Sequence, residues 1–351
     1  MRCRILFIVA FTLGLVTLDR LIGFGMRMAY DHTFTGEAGG QINEAIRCRD
    51  REVIVFGSSL ARHQVDPSVL CAQLSEPSFN AGCNGQDIYY ARMLQSLILG
   101  KGCASKHFVY ILNWRDLVVD DLDRARMFSV FCDESQTIRE LLGSSPGSWL
   151  KLKSHTYRFN TLAMSTVRQL IAPEYEGHDG FVPIQVEYEP AAGDFADMES
   201  DLRVGLTASA LAQMSAKLEL YRDFSTAARR QNIRVTFVVG PTYRDGRPRG
   251  AGERFALEQL QKVAKETGAN FLVLDETTVP AFQNTFCFGD PRHLNARGAA
   301  LFSELLGRCL QATSKDVAKT QHRDDSRTPQ DDRARIPQSE HPVSNSSLTL
   351  H

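Results

Sequence analysis

Five short runs of β-branched and aromatic residues, each closed by a turn and followed by helical periodicity, constrain this chain more than any other feature. They are Glu52 to Phe56, Phe79 to Gly82, Phe108 to Leu112, Arg234 to Val239 and Phe271 to Leu274. Between them lie segments that read as helices. Asp66 and Pro67 open one, Gln86 to Leu99 forms another closed by Gly100 and Gly102, and Glu253 to Thr267 stops at Gly268. Thr207 caps a further helix that carries Leu211, Met214, Leu218 and Tyr221 on one face, and a last helix carries Phe302, Leu305, Leu306 and Cys309. Strands that are apolar on both faces and alternate with helices belong in a parallel sheet covered on both sides. The expected fold is therefore α/β, a three-layer flavodoxin-like sandwich with a parallel sheet of about five strands. Ligands of such sheets bind beyond the carboxyl ends of the strands, where Ser59, Gly82 and Asn113 fall.

The flanks of this pattern set the domain boundaries. Arg2 and Arg4 precede the apolar run Ile5 to Leu18, which Asp19 and Arg20 interrupt before a second apolar patch from Leu21 to Met26. Residues 1–26 are read as an uncleaved signal anchor or transmembrane helix with the domain exported, because basic residues precede the run and no small-residue cleavage pattern follows it. A buried amphipathic helix is the alternative. Residues 27–50, with Gly36, Gly39 and Gly40, are expected to form a polar connector. The α/β domain occupies residues 51–312, with a partly helical insertion at about 115–205 lying over the sheet edge as a possible lid. From residue 313 to 351 the composition turns to Ser, Asp, Arg, Gln and Pro, which predicts a disordered tail.

Charge and cysteine usage exclude several functions. Forty basic and 41 acidic residues give a net charge of -1, so no global field draws the protein to nucleic acid. The eight cysteines occur singly, without a CxxC pair or a His-rich run, which argues against a zinc site. Export would permit disulfides, whose pairing the sequence leaves open. The glycines at 246, 250 and 252 match no phosphate-binding loop, and that stretch reads as substrate-facing or mobile.

Two segments carry side chains suited to chemistry. In Gly57-Ser58-Ser59 a serine ends a strand and precedes a helix, which exposes its hydroxyl and sets its amide in the helix's positive field. Helix capping explains the same residues. In Asp290-Pro-Arg-His293-Leu-Asn295-Ala-Arg-Gly298 the aspartate can hold one imidazole nitrogen while the other withdraws a proton from a hydroxyl, and Asn295 can cap the last helix. A solvated loop decorating a helix start is the alternative. His63 is expected to line the site at most, and Arg62 and Arg115 are expected to be ordinary surface arginines.

The order Gly57-Ser58-Ser59, Gly82, Asn113 and Asp290-x-x-His293, each after or before the matching element, resembles the SGNH or GDSL hydrolase superfamily. The sequence departs from the family's commonest pattern at Ser58, where aspartate is usual, and around Asn113, which Ile111 and Trp114 surround. The resemblance implies Ser59 as nucleophile, His293 as base and Asp290 as its orienter, with the Ser59 amide, Gly82 and Asn113 as oxyanion donors. It further implies an ester hydrolase or O-acyltransferase, held at the membrane, acting outside the cytoplasm on an acylated small molecule or polysaccharide. No cofactor is expected, and a membrane-protein partner is possible. A non-catalytic member that binds glycan in the same cleft is the competing expectation.

Overall fold

The computed structural model describes all residues except 35, 48–49, 120–121, 145–146, 174–176, 192–206 and 326–351. Its centre is a sheet of five parallel strands, β1 (Val53–Gly57), β2 (Ser78–Asn80), β3 (His107–Leu112), β4 (Arg234–Val239) and β5 (Asn270–Val273), in the order β2-β1-β3-β4-β5. This is the flavodoxin-like arrangement expected from the sequence. β1 aligns Val53 with Ser78 on one side and with His107 on the other, so all three strands start level. The chain steps from β1 outward to β2, then returns to the other side of β1 as β3. The crevice between the ends of β1 and β3 is thus the switch point at which such folds bind ligands.

The apolar runs form strands here because both their faces are covered. Every residue of β1, β2 and β3 is buried. On one face Phe56, Phe108, Tyr110 and Phe237 meet Phe224 and Tyr221 of the helix Ala208–Arg230, with ring centroids 5.1 Å apart for both Phe56 and Phe224 and Tyr110 and Tyr221. Edge-to-face pairs of this kind add about 0.5–1.5 kcal/mol each beyond their burial. Thr207 caps that helix by accepting from the Ala210 amide, and Met214, Leu218 and Tyr221 are buried as expected. Leu211, at the first turn, is exposed.

Three sequence expectations need correction. Residues 27–50 are not an open connector. The first helix, α1 (Arg2–Tyr30), continues to a buried Tyr30, and Gly36–Gly40 and α2 (Gln41–Arg47) follow as helical turns. Tyr30 donates to the Gly39 carbonyl, and Asn43 donates to the carbonyls of Tyr30 and Thr33, so tertiary hydrogen bonds override the local glycine signal. The insertion is also placed differently. Phe128 and Phe131 pack on Tyr90 and Tyr30, and Ser135 pairs with Ser96, so this part lies beside α1 and α5 (Ile88–Gly100), whereas Arg115, at the start of the insertion, stays beyond the strand ends and Arg124 donates to Gly85. Finally, the last helix runs from Ala296 to Asp325, past the expected tail boundary at residue 313; residues 326–351 lie outside the described part. Among the described residues, Met1–Arg308 form one compact unit and those from Cys309 belong to a second.

Within α1 one 18-residue window has mean hydropathy 2.1 and is wholly unburied, so the helix is long and apolar enough to cross a membrane. Among the described cysteines no disulfide is formed; Cys48 lies outside the described residues.

Candidate active site

Ser59 begins a short helix, α3 (Ser59–Gln64), directly beyond β1. Its approach to the sheet depends on two glycines. Gly57 has φ +145°, and a Cβ there would lie 2.8 Å from the Ile111 carbonyl oxygen and 2.9 Å from Ala61 Cβ. A Cβ on Gly82 would lie 2.6 Å from both Ala61 Cβ and the Arg62 amide. The sequence thus lets α3 settle onto the strand ends and turn its first residue toward the crevice.

The Ser59 hydroxyl meets His293, whose Nε2 lies 2.7 Å from Ser59 Oγ. The opposite ring nitrogen, Nδ1, lies 2.8 Å from Asp290 Oδ2 and 3.0 Å from Oδ1. With Nδ1–H donating to the carboxylate, Nε2 is left as the acceptor for the serine proton. Asp290 Oδ1 also accepts the amides of Arg292 and His293 at 2.8 and 2.9 Å. Burial of Asp290 works against its charge, but the His293 hydrogen bond and those two amides outweigh it and hold the carboxyl below the usual range. It is therefore ionised at neutral pH and fixes the imidazole. The three residues expected from the sequence, Ser59, His293 and Asp290, are brought together.

The loop that carries His293 is braced from three directions. Gln64, at the far end of α3, donates to the carbonyls of Pro241 and Arg292, both at 3.1 Å, tying the serine's helix to the histidine's loop and to the end of β4. The Tyr243 amide donates to Pro291. On the outer side the late part of the insertion runs alongside, with the Tyr188 amide on the Phe288 carbonyl and the Ala296 amide on the Ile184 carbonyl, both at 2.8 Å. Asn295 caps the last helix through the Gly298 amide, as expected.

The expected oxyanion donors fare unevenly. Gly82 sits against α3, but its amide donates to Asn80 Oδ1 at 2.9 Å and is therefore already engaged. Asn113 lines the cleft, with its Oδ1 accepting the Arg115 amide at 3.1 Å; the side-chain NH2 keeps its donor capacity. The amides of Ser59 and Leu60 open α3, where the helix supplies no carbonyl to receive them.

Two side chains that matter here were not singled out in the sequence. Asn80 is fully buried, and its NH2 donates to the carbonyls of Ala61 and Val65, both at 2.7 Å, so it clamps α3 to β2. Its Oδ1 contact with the amide two residues on is an Asx turn, a signal that Asn80-Ala81-Gly82 does carry. Gln64 has no comparable sequence signal. His63 lies beside the site: its ring stands edge-on to His293 with centroids 5.4 Å apart, and Nδ1 donates to the Val182 carbonyl at 2.7 Å. Burial lowers its basicity, opposed by that hydrogen bond and reinforced by His293, which favours the neutral ring. Arg62 is not a surface arginine; it is buried and donates to Gln41, which in turn donates to the Gly82 carbonyl.

Beyond the ends of β3, β4 and β5 lies a cleft of about 720 Å³, including its open mouth, lined by Leu60, Asn113, Trp114, Arg115, Thr242 and Arg292. From the 240–252 stretch Gly240, Thr242, Arg244 and Arg249 contribute to its lining. At its base Arg244 bridges Glu253 and Glu276 at 2.6 and 2.8 Å, and Arg249 pairs with Asp275. These groups make the cleft polar while nearly balancing its charge. No family model, curated protein or solved structure matches this chain.

Proposed function

We propose that this protein is a serine-dependent ester hydrolase or O-acyltransferase that is held at a membrane by α1 and acts outside the cytoplasm on acylated saccharides. The observation that carries the reading is the Ser59–His293–Asp290 relay, with 2.7 Å between Ser59 Oγ and His293 Nε2 and 2.8 Å between His293 Nδ1 and Asp290 Oδ2. The saccharide reading draws on the resemblance and on a cleft that combines Trp114, a flat ring able to stack on a sugar, with many charged hydrogen-bonding groups.

In this mechanism Ser59 Oγ attacks the acyl carbonyl as its proton passes to His293 Nε2, and Asp290 stabilises the imidazolium. The oxyanion rests on the first amides of α3 and on the Asn113 NH2. Collapse expels the alcohol, which takes the proton from His293 and leaves an acyl-Ser59 ester. Water or a sugar hydroxyl then gives its proton to His293, attacks that ester and restores the serine. The acceptor alone separates hydrolase from transferase.

A second reading, a glycan-binding protein without turnover, is favoured by one observation: the Gly82 amide is already taken by Asn80. Losing one oxyanion donor typically costs about 100-fold to 1000-fold in turnover, which slows this chemistry without abolishing it. The full chain in detergent, assayed with a nitrophenyl acetate ester, separates the readings. Hydrolysis that disappears in Ser59→Ala supports the enzyme, and acceleration by an added oligosaccharide with formation of its acetyl ester supports the transferase. Folded protein that neither hydrolyses nor transfers, yet retains oligosaccharide, overturns the enzymatic reading.

A further inference from the structure

The first helix does not leave the domain freely. Asp19 accepts from the Ser154 hydroxyl at 2.6 Å and from the amides of His155 and Thr156 at 2.8 and 3.0 Å, so it caps a turn of the insertion. Gly23 lies flat against His155, where any Cβ would lie 2.3 Å from His155 Cβ, and Arg20 also reaches His155. Arg27 adds an ion pair to Glu134 at 2.6 Å. The part of the helix that none of these contacts touches is Ile5 to Leu18, fourteen residues; beyond it Leu21, Ile22 and Phe24 remain exposed.

At 1.5 Å per residue that segment is roughly 21 Å long, and α1 reaches the ~30 Å of a hydrocarbon core only by including Leu21 to Phe24, the stretch that carries the docking turn. A span from Ile5 to Phe24 therefore places the docking turn at Ser154–Thr156, held by Asp19, and its surroundings in the interfacial layer. Those surroundings present exposed apolar side chains. Trp149 and Leu150, on the short helix Ser148–Lys151 just before the turn, are 60% and 62% exposed. On the helix Ala163–Ile171, which packs against α1, Met164 and Ile171 are 82% and 79% exposed, and Val167 and Leu170 lie on the same outward stripe. Lys151, Lys153 and Arg168 are exposed among them. An exposed apolar stripe bordered by Arg168, beside an exposed tryptophan and two lysines, has the makeup of an interfacial membrane contact.

We infer that the helices Ser148–Lys151 and Ala163–Ile171 form a lipid-docking surface around the base of α1, seating the domain in the headgroup layer where α1 enters the bilayer. The occupant is the bilayer, because the patch is continuous with the helix that enters it and carries basic residues that suit anionic headgroups. This inference rests on the membrane reading of α1 and is independent of the chemistry at Ser59.

The test places the full chain, as Trp114→Phe so that Trp149 is the sole tryptophan, in vesicles of phosphatidylcholine with a minority of phosphatidylglycerol. Part of the phosphatidylcholine is brominated near the glycerol end of its acyl chains. The expected result is Trp149 emission quenched about twofold or more by the brominated lipid and shielded from acrylamide. If Trp114→Phe does not fold, the difference between the native chain and Trp149→Phe reads the same quantity. Chain that floats with the vesicles but shows Trp149 open to acrylamide and unaffected by bromine overturns the docking surface alone. Shielding from acrylamide that depends on protein density, without quenching by lipid, assigns the patch to another protein and also overturns it. Chain that does not float overturns the membrane reading of α1 together with the inference.

Discussion

Lys217 and Asp87 offer a quantitative test of how the loops around the cleft are held. Lys217 lies in the middle of the helix Ala208–Arg230, and both its side chain and that of Asp87 are fully buried, with Nζ 2.5 Å from Asp87 Oδ2. The ammonium also donates to the carbonyls of Asp116 and Val119, just downstream of Asn113, while Asp87 caps α5 by accepting the Tyr89 amide at 2.9 Å. One cation therefore joins three segments. Lys217→Met would leave the Asp87 carboxylate without its counter-charge, which costs about 3–5 kcal/mol for a buried pair. At roughly 2–4 °C per kcal/mol for a domain of this size, the melting temperature should fall by about 10 °C. Asp87→Asn keeps an acceptor for Tyr89 but leaves the ammonium unneutralised. In the double variant neither charge remains, and the two carbonyls that lose their donor do so equally in Lys217→Met, so that cost cancels in the cycle. The double variant should therefore be less damaged than the sum of the singles by about 2 kcal/mol. Urea unfolding of the full chain in a mild detergent, followed by circular dichroism, measures all four corners. Additivity within about 0.5 kcal/mol, or a Lys217→Met cost below about 1 kcal/mol, would refute the reasoning.

Burial pushes His107 from its ordinary value of 6.5 down to about 3, with Arg234 adding to the fall, so the unfolded chain binds this proton first. Its contribution is fully present above pH 6.5 and is lost as pH drops toward 3, on the order of 4 kcal/mol in all; His107→Gln should flatten that limb of a stability profile measured by denaturation at several pH values. Gln64→Met keeps the bulk of the side chain but cuts its bonds to Pro241 and Arg292. It should slow acylation about 10- to 100-fold through misplacement of His293 and, because two carbonyls lose their donor, lower the melting temperature by a few degrees; a rate equal to wild type would remove Gln64 from the positioning scheme. Asp290→Asn should lower turnover by about 1000-fold to 10,000-fold, because the amide no longer enforces the tautomer that presents Nε2 to Ser59; the comparison is a steady-state rate on the same ester.

The sheet was legible because β1 to β4 are buried on both faces, which leaves unbroken apolar runs such as Val53 to Phe56 that no helix of an ordinary soluble surface would show. Ser59, Asp290 and His293 were legible for a related reason: each lies at an element boundary that the strand pattern locates. What local sequence could not convey is competition between partners. The Gly82 amide looks available until Asn80, two residues away, is seen to turn its side chain back onto it. The stretch around Gly36 to Arg47 reads as a connector because its glycines lack helix propensity, and only the bonds to Tyr30 and Thr33 make it worth ordering. The insertion is built of elements too short to be stable alone, so its path along α1 and then beside the His293 loop is written in contacts such as Asp19 to Ser154 and Ile184 to Ala296, which carry no periodicity.

The central claim is that His293, held by Asp290, activates Ser59 as a nucleophile. Labelling the full chain with a fluorophosphonate and mapping the adduct by peptide mass tests it most directly. The account predicts a single adduct on the peptide containing Ser59, absent in Ser59→Ala and slowed by orders of magnitude in His293→Ala. An adduct that persists in Ser59→Ala, or Ser59 labelled as fast without His293 as with it, would contradict it.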